Sequence, residues 1–355
     1  MRTVNTEAIP DRSRAFPALD GGRVTLRKTL IVCGLLLISV FAVIMMTSLF
    51  GSERVPARAS MCAILSLGQS SCGLTLDQST ILLEIRLPRI FLAAAVGASL
   101  AAAGASYQAL LRNPLAEPYL LGISNGAAVG TMIALVFFGA REWSRPLMAF
   151  TGALVATLVV YSLARGRAGA TPERLILAGV IVTTFLSSAI VFVTTLMDAT
   201  RIRSFTFWLL GDLSGTTPSL LAVAILVAIA GTIVLAVNAR SLNLLMLGER
   251  DAFDLGVEVK RVRLIVFLAA GLLVGTSVAS SGSVGYVGLV VPHLVRLSLG
   301  SDNRIAVPAA ALSGAIFVVV ADTVARTIIA PRELPVGAIT ALIGAPLFIY
   351  LLKRG

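Results

Sequence analysis

Apolar runs of about 20 residues recur along the chain, each long enough to cross a hydrocarbon core roughly 30 Å thick as an α-helix. A helix satisfies its own backbone hydrogen bonds inside lipid, so runs of this length point to a bundle and not to a barrel. The pattern predicts an all-α integral membrane protein with about ten transmembrane helices. These lie near residues 29–50, 81–111, 118–138, 147–164, 175–197, 218–238, 262–280, 284–299, 305–328 and 336–352. Within them AAAVGASLAAAGAS (93–106) concentrates small residues, and Gly97 and Gly104 would let neighbouring helices approach closely. The run SGSVGYVGLVVPHLVRL (281–297) is interrupted by Gly282, Gly285, Gly288 and Pro292 and is expected to be irregular or kinked, which requires protein or water around it. Residues 1–28 are polar and basic, with no small-residue cleavage site after the first apolar run, so 29–50 is predicted to be a retained span.

Composition agrees with this reading. Of 355 residues 57% are hydrophobic and 13% charged, with a mean hydropathy of +0.93. The formal net charge of +11 would suggest nucleic acid as a partner of a soluble chain. In a membrane protein it follows from the gathering of Lys and Arg on cytoplasmic loops, and no nucleic-acid partner is expected. An even number of spans puts both termini on one side. The N-terminal arm, Arg112, the Arg165–Arg174 cluster, the stretch from Arg240 to Arg263, Arg296, Arg304 and the Lys353–Arg354 tail put most of the 29 Lys and Arg on that side, which the charge bias makes cytoplasmic. The expected organisation is a cytoplasmic arm over 1–28 and a single transmembrane domain over 29–354, with a periplasmic loop at 51–80 and a cytoplasmic loop at 239–262.

No catalytic residue and no resident cofactor are expected. The chain has three lysines, Lys28, Lys260 and Lys353, and none stands where a phosphate-binding loop needs one, so ATP hydrolysis by that route is excluded. His293 has no acidic or cysteine neighbour in sequence with which to hold a metal. Cys33 lies inside the first span and reads as packing. Cys62 and Cys72 share a loop assigned to an oxidising compartment, where two readings stay open: a disulfide closing a short loop, with Gly68 turning the chain, or a small hydrophobe packed on helix ends.

The stretch RNPLAEPYLLGISNGAAVG (112–130) sets Asn113, Pro114, Glu117 and Pro118 at a sharp break between two spans. With RLPR (86–89), LGISNGA (121–127), LNLLMLGERDAFDLGV (242–257), GYVGLVVPHLVR (285–296), ADTVAR (321–326) and ELPVGAITALIGAPLFIYLL (333–352), it resembles the FecCD-type permease subunits of type II ABC importers for ferric siderophores, haem and vitamin B12. The resemblance covers roughly residues 80–354; the N-terminal arm and the loop 51–80 inherit nothing from it. It implies a bacterial inner-membrane location, ten helices per subunit and a pair of permease copies, a homodimer foremost, with the path between them. It also implies two ATP-binding subunits docked inside, a periplasmic binding protein docked outside, and a metal chelate as cargo, a ferric siderophore foremost and haem or cobalamin as alternatives.

Two sites follow. In the loop 242–263, Gly248 and Gly256 bracket a short helical stretch in which Leu244, Leu247, Ala252, Phe253 and Leu255 stand among charges such as Glu249. Such a segment is too polar to span and too apolar to be only a linker; the resemblance makes the ATPase dimer its partner, the alternative being a helix lying at the lipid interface. At the other end Arg86 and Arg89, three residues apart, share a helix face expected to look into the periplasm. Arg326 lies 22 residues beyond Arg304, about 33 Å along a helix, and reaches the same surface. The resemblance gives these arginines to acidic residues of the binding protein. The competing reading keeps them inside the protein, Arg326 pairing with Asp322 four residues earlier, and Asp322 is read as structural, as is Pro335. Trp208 is assigned to packing. The alternative function is a stand-alone secondary transporter, which would need an ion path of intramembrane ionisable residues.

Overall fold

The computed structural model describes residues 25–51, 55–66, 72–138, 143–166 and 169–354, which are helical almost throughout. Most of the N-terminal arm, Gly68 and Arg167 lie outside the described residues. In chain order the helices are α1 (Leu26–Ser48), α2 (Ala57–Leu65), α3 (Leu76–Thr80), α4 (Leu87–Leu110) and α5 (Ile123–Ile133). Next come α6 (Ser144–Ala164), α7 (Pro172–Thr195), α8 (Ala199–Leu209), α9 (Pro218–Val237) and α10 (Ala239–Leu247). The last are α11 (Glu249–Asp254), α12 (Val259–Ser281), α13 (Val287–Leu299), α14 (Asn303–Thr327) and α15 (Val336–Arg354). A two-residue antiparallel pair, β1 (Arg165–Gly166) with β2 (Gly169–Ala170), turns the chain between α6 and α7.

Among the described residues seven helices are long and apolar enough to cross a membrane: α1, the continuous Leu76–Leu110 helix that contains α4, α6, α7, α9, α12 and α14. Three shorter apolar helices, Ile123–Phe138, α13 and Val336–Leu351, fall on the remaining predicted runs. The structure adds α8, which the hydropathy pattern does not mark because its Arg201 and Arg203 break the apolar run.

α4 is the axis of the packing. It is buried along nearly its whole length and meets α14, α12, α9 and α13. Its small residues set those distances: a Cβ on Gly97 would strike the carbonyl of Gly314 in α14, and one on Gly104 the backbone of Gly288 in α13. α7, by contrast, leaves half of its residues exposed, among them Phe185, Val191 and Phe192, as a lipid-facing or partner-facing helix must.

Two irregularities have local causes. Ile81–Arg86 forms a π-helical turn in which the Leu87 amide reaches back to the Leu82 carbonyl. Pro88 follows and has no amide to offer the Glu84 carbonyl, so the wide turn ends where the normal ladder is already broken. The expected break in the eighth run is found at Gly282–Tyr286, before α13, and Tyr286 has φ 66°. With 13 residues α13 is about 20 Å long, short of the hydrocarbon thickness. The open backbone is satisfied from the Glu117–Tyr119 segment. The Tyr119 hydroxyl donates to the Val284 carbonyl and accepts from the Val284 amide, both at 2.9 Å, and the Glu117 carboxylate accepts from the Tyr286 amide at 3.1 Å.

Candidate functional site

One end of the bundle carries the arginines. The Arg89 Nε donates to Asp322 Oδ1 at 3.0 Å, and Arg89 Nη1 meets Glu333 Oε2 at 2.6 Å. Arg326 Nε donates to the other Asp322 oxygen at 2.9 Å, and Arg86 Nη1 donates to the Ser48 carbonyl at the end of α1 at 2.8 Å. The three arginines are 4%, 7% and 4% exposed in the order Arg86, Arg89 and Arg326. The sequence offered a docking role for these arginines and, as the competing reading, partners within the protein; the structure supplies internal partners in Asp322, Glu333 and the α1 carboxyl end. Asp322 is fully buried and shared by two cations, one from α4 and one from its own helix, so no acid in this network stands unpaired as an ion carrier would. Above the network lies a cavity of about 200 Å³ bordered by Arg89, Glu333, Asp212, Phe207 and Pro335. The same segment places Val336, whose amide donates to the Gly211 carbonyl at 3.2 Å.

The opposite end carries α10 and α11, with Gly248 (φ 148°) and Gly256 (φ 84°) bracketing α11 as the sequence suggests. Ala252 is buried and Leu244 half-buried, while Leu247, Phe253 and Leu255 are 61%, 71% and 62% exposed. Glu249 pins the knob: buried Arg263 of α12 donates to it, and Arg112 stands 3.8 Å away. α10 is pinned separately. Asn243 Oδ1 accepts from the Asn303 amide and side chain, both at 2.8 Å, and Asn303 Oδ1 accepts from Arg296 at 2.8 Å. Arg296 also donates to the Ala105 carbonyl of α4 at 2.9 Å. Arg296, which the charge pattern assigns to a loop, is thus buried in α13 and ties the loop region to the helices on which it sits. Asp302, between α13 and α14, is pushed up by burial, but hydrogen bonds from Arg304 and Asn243 outweigh this and hold its carboxyl below the usual carboxylate range.

The break at 112–118 is built as a turn. Asn113 Oδ1 accepts from the Leu115 amide at 2.9 Å, Pro114 and Pro118 flank it, and Gly122 closes the following 3-10 turn at φ 77°. Cys62 and Cys72 are joined by a disulfide with Cα atoms 5.8 Å apart, and Cys33 is free. His293 packs edge-on against Phe348, and Trp208 stacks with Phe205. Among the described residues no group of His, Cys, Asp and Glu is placed to hold a metal.

The sequence profile of the FecCD transport family matches residues 33–354. The chain belongs to the FecCD transport family. It is 40% identical over 312 residues to the hemin transport system permease protein HmuU of Yersinia pestis, covering 83% of this chain and 93% of that one. It is 44% identical over 275 residues to the vitamin B12 import system permease protein BtuC of Vibrio cholerae, covering 76% and 82%. A solved inward-facing conformation of a metal-chelate type ABC transporter superposes with a TM-score of 0.79 at 28% identity, covering 92% of this chain and all of that one. The chain is a multi-pass membrane permease, and within this FecCD protein the motifs read from sequence gather at the two ends and at the Glu117–Tyr286 junction. Sequence reasoning passed over Glu333, Asn243 and Asn303. Glu333 opens a quoted motif, and an acid at that point is the one signal that marked it.

Proposed function

We propose that this permease carries a metal chelate from periplasm to cytoplasm across a bacterial inner membrane, with both termini cytoplasmic. A ferric siderophore is the foremost cargo; the relatives named for hemin and vitamin B12 support haem and cobalamin within the same class. ATP is hydrolysed on two separate ATP-binding subunits, and a second copy of this chain completes the path. The observation that carries this reading is the knob at α10–α11. It exposes Leu247, Phe253 and Leu255 while Glu249 and Asn243 anchor it to α12 and α14, so a partner that moves the knob moves the helices.

At the other end a periplasmic binding protein docks. Arg89 is the arginine that a partner carboxylate reaches through the 200 Å³ cavity, by replacing Glu333, whose side chain is 42% exposed. Arg86 and Arg326 hold the ends of α1 and α14 around it. Charged contacts of this kind give register and speed of encounter more than affinity, as suits a partner that leaves in each cycle. The secondary-transporter alternative loses support from the double pairing of Asp322. The test is uptake of labelled ferric siderophore, haem and cobalamin in cells with and without the gene. Loss of one of the three supports the reading, and equal uptake of all three in both strains contradicts it.

A further inference from the structure

A groove runs between α5, α6 and α7, with a volume of about 580 Å³. Ile133, Val155, Val159, Leu163, Ile181 and Phe185 line it and are each 40–72% exposed, and its one hydroxyl, Thr151, is spent on the Leu147 carbonyl at 2.7 Å. Along α6 it extends from Met148 to Leu163, about 22 Å at 1.5 Å per residue, against roughly 15 Å for half a hydrocarbon core. A single extended hydrocarbon chain fits a slot of this length and apolar lining.

The α6–α7 turn adds the second half of the pattern. Leu163 closes the groove two residues before Arg165, which is exposed. Arg174 is exposed too, and its spacing from Ile181 and Phe185, two and three helical turns on, puts it on the groove face of α7. Its guanidinium lies over Gly166, next to Arg165. Among the described residues neither arginine forms an ion pair. The neighbouring acid, Glu173, is engaged first by its own backbone amide and by Thr171 at the start of α7, and more weakly by the charges of Arg112 and Arg263. An apolar slot that ends at two uncommitted cations, in a protein that spans a membrane, has the chemistry of a lipid tail followed by an anionic headgroup.

We infer that the α5–α6–α7 groove is a binding site for an anionic phospholipid, with one acyl chain along α6 and the phosphate between Arg165 and Arg174. The site does not depend on which chelate is carried, and the test reads lipid and not transport.

The full-length protein is exchanged into micelles with equal phosphatidylglycerol and phosphatidylcholine, and the retained lipids are counted by native mass spectrometry. The wild type is expected to retain phosphatidylglycerol over phosphatidylcholine by about tenfold. Arg165→Gln with Arg174→Gln, a surface change, is expected to remove that preference, and Val155→Trp, which fills the groove, to remove retention of both lipids. Equal retention of the two lipids by the wild type, or unchanged phosphatidylglycerol retention in the double variant, overturns the inference. Cross-linking of Val155→Cys to the same position in a second copy also overturns it.

Discussion

Arg89 and Asp322 meet 233 positions apart in sequence, and Arg326 grips the second oxygen of the same carboxylate. One buried anion thus joins α4 to α14 at the Arg89 end, while Gly97 against Gly314 joins them further along. Asp322→Asn leaves buried Arg326 without a carboxylate and Arg89 with Glu333 alone, and breaking a buried pair in this way costs about 3–5 kcal/mol. Glu333→Gln removes a half-exposed partner and is expected to cost about 0–1 kcal/mol. Unfolding temperatures in mild detergent should separate the two variants clearly; an equal drop contradicts the assignment of Asp322 as the shared anion.

The same geometry predicts how docking responds to salt. Glu333→Ala frees Arg89 for an incoming carboxylate and should tighten binding-protein docking at low ionic strength, whereas Arg89→Ala should weaken it. Both effects should shrink as salt rises, since screening acts over about 10 Å at 0.1 M. The check is titration with a fluorescent binding protein at two salt concentrations, and wild-type docking by both variants at low salt rules Arg89 out.

At the other end, Leu247→Asp or Phe253→Asp puts a charge on a side chain that is 61% or 71% exposed and lies outside the candidate spans. Membrane insertion should be unchanged. Association with the ATP-binding subunits should fall about 10- to 100-fold, from the roughly 1.5–3 kcal/mol that burial of such a side chain contributes. Co-purification in detergent measures it, and undiminished recovery of the subunits removes the knob from the coupling role.

Much of the fold was legible because lipid enforces a simple rule. Runs such as 305–328 have one way to satisfy their backbone, and α14 follows. The Gly282–Tyr286 break was legible as well, from Gly282 and Gly285, whereas Gly288 and Pro292 lie inside α13. For the arginines, the Arg326–Asp322 pair was legible from its four-residue spacing, whereas the partners of Arg86 and Arg89 were not. Arg86 and Arg89 look alike in sequence, and what separates a docking cation from a paired one is the position of Glu333, 244 residues away, which periodicity does not carry. Arg296 and Asn303 were hidden for the same reason: a buried polar network is defined by contacts between helices, here α10, α13, α14 and α4.

The disulfide predicts a thiol count. Purified, unreduced and then denatured protein should react with one maleimide, at Cys33, and Cys62→Ser should lower stability by about 2–3 kcal/mol on the chain-entropy estimate for a loop of this size. Three reactive thiols in the wild type contradict the bond.

The central claim, transport coupled to ATP hydrolysis on partner subunits, is tested most directly in proteoliposomes that contain this chain with its ATP-binding subunits and binding protein. Accumulation of a labelled chelate should require ATP and all three components, should be lost with Phe253→Asp, and should be indifferent to an imposed ion gradient. Accumulation by the chain alone, driven by a proton or sodium gradient, would contradict the account.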